Sequence, residues 1–374
     1  LLMGGRHEIG RLVYVSVIGF TATVWSIRQW FLASPRYRWS GAEPILLAAV
    51  VLVILQLVPL PQSVLLWISP EIGELLPMWT GQASAGGSLG TWNQLSLAPM
   101  ATQAGLVTLL AHVLLFLVVV QRLQDTRDIE RMLKWVASAS ILMASVGLAQ
   151  FLFGNGKFLW IYEHPSRDTF GVAKGTFQNQ NHFANFLAMG LGPLIWWFFA
   201  SFRPAPRQRG FGSTDSTHVV LRTRFPFLAI GLGLVVLAGL LTFSRGGVIA
   251  LASAALVCLV VFWFRGAARR QILITIVVVS AFMAAALSIH GYEPLVKRLN
   301  TLTQSRSLEE LSQARAALWK AHLQIIPRFP VSGTGAGSHA EVYRTYFDQH
   351  FYVEFTHGES GYLHLLVENG VPGL

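Results

Sequence analysis

Charge is scarce in this chain. Only 12% of its 374 residues are Asp, Glu, Lys or Arg, where a soluble domain carries about a quarter. With 53% hydrophobic residues and a mean hydropathy of +0.51, that excludes an ordinary water-soluble globule. Cysteine is nearly absent. The one thiol, Cys258, lies in the middle of an apolar run, so an internal disulfide is excluded and a cysteine-built metal centre is not expected. No HExxH, no clustered Cys/His and no Asp-x-Asp appears, so no metal site is expected. A serine nucleophile elbow, a P-loop and a dinucleotide fingerprint are missing too. A cytoplasmic nucleotide-sugar site is therefore not expected, nor is a cofactor. Repeats and low-complexity tails are lacking. Acidic residues number 18 against 28 basic ones, a formal net charge of +10. The basic residues are spread between apolar runs rather than gathered in a stripe. That favours membrane topology and contact with anionic lipid, and gives no footprint for nucleic acid.

Long apolar runs are what the chain has in abundance. They lie at about 12–33, 44–68, 103–120, 132–153, 182–200, 226–243, 247–264 and 271–289, with another starting near 359. A helix crosses a bilayer in about 20 residues, and backbone in lipid must satisfy its own hydrogen bonds, so these runs are expected to be helices. The predicted fold is all-α, a polytopic transmembrane helix bundle. Residues 1–374 are expected to form a single integral-membrane domain, with 290–358 as a long loop containing short interfacial helices. The opening Leu-Leu-Met-Gly-Gly and the stop at Leu374, just after a new helix begins, predict missing spans at both ends. No cleavable signal peptide is visible.

Lysine and arginine in the short loops set the orientation. Segments 34–43, 121–134, 201–225 and 265–270 hold Arg36 and Arg38; Arg122, Arg127, Arg131 and Lys134; Arg203, Arg207, Arg209, Arg222 and Arg224; and Arg265, Arg269 and Arg270. They alternate, and all four are assigned to the cytoplasm. Segment 69–102 has no Lys or Arg and falls on the outer face.

Three polar segments then open helices on that same outer face. They are Lys174-Gly-Thr-Phe-Gln-Asn179-Gln-Asn181-His182, Ser244-Arg245-Gly-Gly, and Thr356-His357-Gly-Glu359-Ser360-Gly-Tyr362. Helix starts expose N–H groups and partial positive charge, which favour anions. Arg245 is the most telling residue. It sits in a tight turn between Phe227–Phe243 and Val248–Phe264, where an arginine is costly unless it meets a partner or water. Its bland role is snorkelling to headgroups. The flanking Ser244 and two glycines favour an anion site instead, and phosphate fits the guanidinium fork. Lys174 is a candidate second phosphate contact. Asn181 is expected to cap the helix that follows it, with His182 in support.

A further helix is predicted from Leu308 to Ile326. Leu311, Arg315, Leu318 and His322 share one of its faces, and Arg315 is expected to point toward something negative at the interface. Pro327, Pro330 and Gly333-Thr-Gly335-Ala-Gly337 then end it in a compact turn. His357 and Glu359 are candidate general bases; the plain alternative is a solvated loop with a capping acid. His164, His339, His350 and His364 show no pattern above that of loop or surface histidines.

Four stretches, in order, are similar to one family. Gly175-Thr-Phe-Gln-Asn-Gln-Asn-His182 resembles its G-T-F-x-N-x-N-H, and Thr242-Phe-Ser-Arg245-Gly-Gly its T-x-S-R-G-G. Trp319, Pro330 and the glycines 333, 335 and 337 resemble its third motif, and Gly361-Tyr-Leu-His-Leu-Leu-Val-Glu-Asn-Gly370-Val-Pro-Gly its terminal helix. Together, over about 170–374, they resemble the O-antigen ligase and O-antigen polymerase family of bacterial inner-membrane glycosyltransferases. The resemblance implies a multi-pass enzyme with its active face periplasmic. The donor would be a glycan on undecaprenyl diphosphate. The acceptor would be lipid A–core, a growing polysaccharide or, in the oligosaccharyltransferase variant, a protein. Arg245 would bind the diphosphate, with Lys174 and Arg315 neutralising charge, and His357 would activate the acceptor. Two departures stand out. The family's His-Asn-x-Tyr-Leu places Glu359, not His357, at the histidine position when Tyr362-Leu363 is aligned. Lys174 stands where Arg is common. Transfer is expected to be metal-independent and inverting, since no covalent nucleophile is visible. A transporter or flippase of lipid-linked oligosaccharide is the rival reading; it should show broken helices near mid-bilayer and internal repeats.

Overall fold

Apolar runs become helices here wherever a cap and an unbroken run of N–H donors allow it. The computed structural model describes residues 8–32, 37–80, 92–163, 169–201, 216–264, 277, 280, 306–347, 355 and 357–374. Along the chain run α1 (Glu8–Trp30), α2 (Glu43–Leu57), α3 (Gln62–Ile68), α4 (Glu71–Thr80), α5 (Pro99–Arg122), α6 (Thr126–Phe153), α7 (Gln180–Ala200), α8 (Ser216–Leu240) and α9 (Arg245–Phe264). Helices Arg306–Ile325, His339–Val342 and Gly361–Asn369 follow. The protein is all-helical; among the described residues there is no strand, only an isolated bridge between Phe158 and Tyr162. Among the described residues, five helices are long and apolar enough to cross a membrane: α1, α5, α6, α7 and α9.

Two spans differ from expectation. The run at 44–68 is not one helix. Pro59 and Pro61 lack N–H donors, and the residue before a proline is pushed to extended backbone. Val58 accordingly has φ −67° and ψ 130°, α2 stops at Leu57, and the short α3 begins at Gln62. The run starting near 359 gives only the nine-residue helix Gly361–Asn369, ended by Gly370 at φ +64° and a 3₁₀ turn holding Pro372. The expected span at 271–289 lies outside the described residues, save Val277 and Ser280.

The chain divides into two compact units, Leu1–Val13 with Leu123–Asn300, and Tyr14–Arg122 with Thr301–Leu374. In the first, α7 packs against α6, α8 and α9. Phe183, Leu187, Leu191, Leu194 and Phe198 recur every three or four residues, so they share one face of α7, and all are buried. They meet Ala137, Ala144 and Leu148 of α6, Leu232, Val235 and Ala238 of α8, and Leu251 of α9. Small residues let these backbones approach, as in membrane bundles generally. A Cβ on Gly190 would fall 1.6 Å from Ser140 Oγ, so α6 and α7 touch there. Ile249, Leu256, Val257, Val261 and Phe264 of α9 stay exposed, as a lipid-facing surface requires.

In the second unit, α2 packs on α5 and a buried polar stitch holds the glycine-rich turn. Gln56 of α2 donates to the carbonyls of Ser332 and Glu368 at 2.8 and 2.9 Å. Its Oε1 accepts from the Ala336 N–H at 3.0 Å. Thr334 N–H donates to Val367 O at 2.8 Å and Gly335 N–H to Glu368 O at 2.9 Å. Gly335 has φ +109°, and a Cβ there would strike Ser96 Oγ at 2.3 Å. The expected helix over 308–326 is present as Arg306–Ile325, and the turn after it is compact as predicted. Ala314, Leu318, Ala321, His322 and Ile325 form its buried face.

Candidate functional site

Two of the three expected helix openings belong to the first unit, and the fold brings them together. Ala173 N–H donates to Leu241 O at 2.9 Å, tying the stretch before α7 to the end of α8. Near the helix starts, a Cβ on Gly247 would lie 2.2 Å from Ala184 Cβ, so α9 and α7 cross in contact within their first two turns. Arg245 is the first residue of α9. Ser244 is its buried cap, its Oγ accepting from the Gly247 N–H at 3.0 Å. The turn into that cap is tight: Phe243 has φ +50°, and Thr242 Oγ1 accepts from Ser244 N–H at 3.2 Å while donating to Gly239 O at 2.6 Å. A cap of this type contributes about 1 kcal/mol. Gly246, beside Arg245, is exposed, and a Cβ there would meet nothing within 4 Å.

The opening of α7 differs from expectation in one detail. Asn179, not Asn181, is the cap: its Oδ1 accepts from the Asn181 N–H at 2.9 Å. Asn179 has extended backbone, φ −114° and ψ 123°, as a cap must; Asn181 is already helical. Asn181 and His182 are exposed in the first turn, and Lys174 is half-buried in the turn before it. Gly175 takes φ +56°. With its amide oriented to satisfy both ends, the buried Gln150 of α6 donates to Gly175 O and accepts from Leu159 N–H, each at 2.6 Å.

The steric contact gives a clean prediction. Gly247→Ala forces α7 and α9 apart and costs about 1–3 kcal/mol, whereas Gly246→Ala is neutral. Thermal unfolding of the two variants in detergent reads the difference; equal midpoints would remove the close crossing.

The third opening belongs to the second unit, with Arg315, His357 and Glu359. Arg315 stands at the edge of the buried face of Arg306–Ile325, with its side chain 48% exposed, and the negative group it meets is Glu359, 3.3 Å away. Glu359 is 38% exposed and holds φ +52°, which a non-glycine residue rarely adopts. His357 is exposed and stands edge-on to His364 with ring centroids 5.5 Å apart. Thr356 lies outside the described residues.

Around this loop stands a group of histidines that sequence reasoning set aside. His322 Nε2 is 2.8 Å from His339 Nε2, and both rings are buried. His339 stacks on Tyr343 with centroids 5.1 Å apart and tilts against His364 at 4.9 Å. His364 Nε2 lies 3.2 Å from the buried Glu368 Oε1. His164 and His350 lie outside the described residues. The 17-residue spacing of His322 and His339 gives no periodic pattern, so only the turn between them reveals the pair. Among the described residues, no three His, Cys, Asp or Glu side chains are grouped to share a metal ion.

Burial, and secondly the nearby His364, pushes the His322 pKa down to about 4 from its ordinary 6.5. The folded state thus keeps His322 neutral where the unfolded chain would protonate it. Its contribution is fully present above pH 6.5 and is lost as pH falls toward 4. The whole effect is on the order of 3 kcal/mol. Unfolding midpoints measured from pH 7 to 4 should drop for the wild type and flatten for His322→Gln. Parallel curves would contradict this assignment.

Helices of spanning length with lipid-facing apolar surfaces mark a multi-pass membrane protein. Residues 228–374 match the family model for O-antigen ligase. That match agrees with the O-antigen ligase and polymerase family that the motifs resemble. The matched stretch holds Ser244, Arg245, Arg315, His357 and Glu359; Lys174, Asn181 and His182 lie before it. No curated protein and no solved structure matches the chain significantly. The family supports glycosyl transfer of the O-antigen ligase type, with a lipid-linked glycan donor and an acceptor.

Proposed function

We propose that the protein transfers a glycan from undecaprenyl diphosphate to an acceptor hydroxyl, on lipid A–core or a growing polysaccharide, at the periplasmic face of the bacterial inner membrane. The observation that carries this reading is the joined pair of helix starts in the first unit. It sets the Lys174 turn beside the start of α9, where Arg245 is the first residue. Two helix N-termini, a lysine and an arginine make a setting for a diphosphate. Exposed Gly246 leaves room for an oxygen to approach the backbone.

The reaction is a single displacement with inversion. The acceptor oxygen attacks the anomeric carbon and its O–H bond gives up a proton to His357 or Glu359. The bond from that carbon to the diphosphate oxygen breaks, and the diphosphate leaves with the bonding electrons. Arg245 and Lys174 stabilise the charge that develops on it. Arg315 has a second role beside Glu359, holding the carboxylate by their ion pair. Ser244 fixes the start of α9, and Asn181 and His182 line the first turn of α7. The positive charge of Arg245 and Lys174 would do the work that a divalent cation does in metal-dependent transferases.

The test is reconstitution in liposomes with a polyprenyl diphosphate glycan and lipid A–core, free glycan or protein as acceptor, with and without chelator. Transfer with inverted anomeric configuration and no chelator effect is expected. Strict chelator sensitivity, or retained configuration, would contradict the mechanism.

A further inference from the structure

Gly358, between the two candidate bases, is gripped on every side. Its N–H donates to His364 Nδ1 at 3.1 Å. Its carbonyl accepts from Trp319 Nε1–H at 3.2 Å. A Cβ on it would fall 2.8 Å from His322 Cε1 and 3.2 Å from His364 Cβ, so a side chain there would displace its neighbours. The grip on the N–H depends on chemistry. Nδ1 of His364 can accept only if it carries no proton. The other ring nitrogen, Nε2, faces Glu368 Oε1 at 3.2 Å, and a carboxylate there favours the proton on Nε2. Glu368 is itself held, since its Oε1 accepts from His339 N–H at 3.2 Å.

We infer that His364, held by Glu368 as the Nε2–H tautomer, is a positioning residue that fixes the backbone between His357 and Glu359. This rests on reading the 357–359 loop as the segment that activates the acceptor. His364 acts through Gly358 rather than on the substrate. The groups facing its ring are His322 from the Arg306–Ile325 helix, His339 from the short helix after the glycine turn, His357 from the loop and Glu368 from its own helix. An N–H at Nδ1 would set two donors against each other and release Gly358.

The test uses the full chain in nanodiscs. Asparagine at 364 places an amide oxygen near the Nδ1 position but cannot be protonated; alanine removes the acceptor. His364→Ala is expected to speed amide exchange over residues 355–360 and to lower transfer, each roughly tenfold, as loss of one hydrogen bond allows. His364→Asn is expected to restore both. In the wild type, 15N spectra of histidine-labelled protein should show neutral His364 protonated at Nε2. An Nδ1–H tautomer, unchanged exchange in His364→Ala, or failure of His364→Asn to rescue would overturn the inference and leave the proposed reaction standing. Faster exchange with full transfer in His364→Ala would overturn both.

Discussion

Arg245→Ala is expected to lower glycan transfer by a factor of about 100–1,000. That is the scale seen when one preorganised donor to a developing negative charge is removed. The substitution falls on the first residue of α9, where helix geometry survives truncation. The cap is made by Ser244 Oγ and the Gly247 N–H, and alanine is a good helix former. The loss should therefore appear in catalysis with the unfolding midpoint unchanged. Arg245→Lys keeps the charge and loses the bidentate fork, so its rate should fall between the two. Steady-state transfer by the reconstituted variants measures this. Full activity in Arg245→Ala would remove the residue from the mechanism.

Removing the base has an effect of similar size. A positioned general base contributes about 100–10,000-fold, so one of Glu359→Gln and His357→Gln should lose transfer on that scale while the other stays within a few-fold of wild type. Glu359 carries the guanidinium of Arg315 at 3.3 Å. The ring of His357 leans on His364. Arg315→Ala separates the two. Because the Arg315–Glu359 pair is about half exposed, its loss changes stability little. A strong loss of transfer in Arg315→Ala then identifies Glu359 as the group that depends on it. Wild-type transfer by both single variants, Glu359→Gln and His357→Gln, would contradict a base in this loop.

Much of the fold was legible because bilayer helices must be apolar and internally hydrogen-bonded. α5, α6, α7 and α9 lie within a few residues of the expected runs. Hydropathy alone missed the break at Pro59 and Pro61, where the side chains stay apolar while the backbone loses its donors. It also ran past Gly370, a left-handed stop inside an apolar context. The cap of α7 moved from Asn181 to Asn179 because both residue types suit the position and only backbone angles choose between them. At the site, the sequence put the Lys174 stretch and the α8–α9 turn on one face, but the bond from Ala173 to Leu241 and the Gly247–Ala184 crossing that tie them were not legible in it. The histidine group was invisible for another reason. His322, His339 and His364 sit on three different elements, joined by a turn whose shape depends on Gln56, some 280 residues away in sequence.

Native mass spectrometry of the purified protein with a polyprenyl diphosphate tests the central assignment, that the first unit's joined helix starts hold the donor's diphosphate. A one-to-one adduct is expected for the wild type, weakened with the corresponding monophosphate and lost in the Lys174→Ala, Arg245→Ala double variant. An adduct of equal strength in wild type and double variant would contradict it.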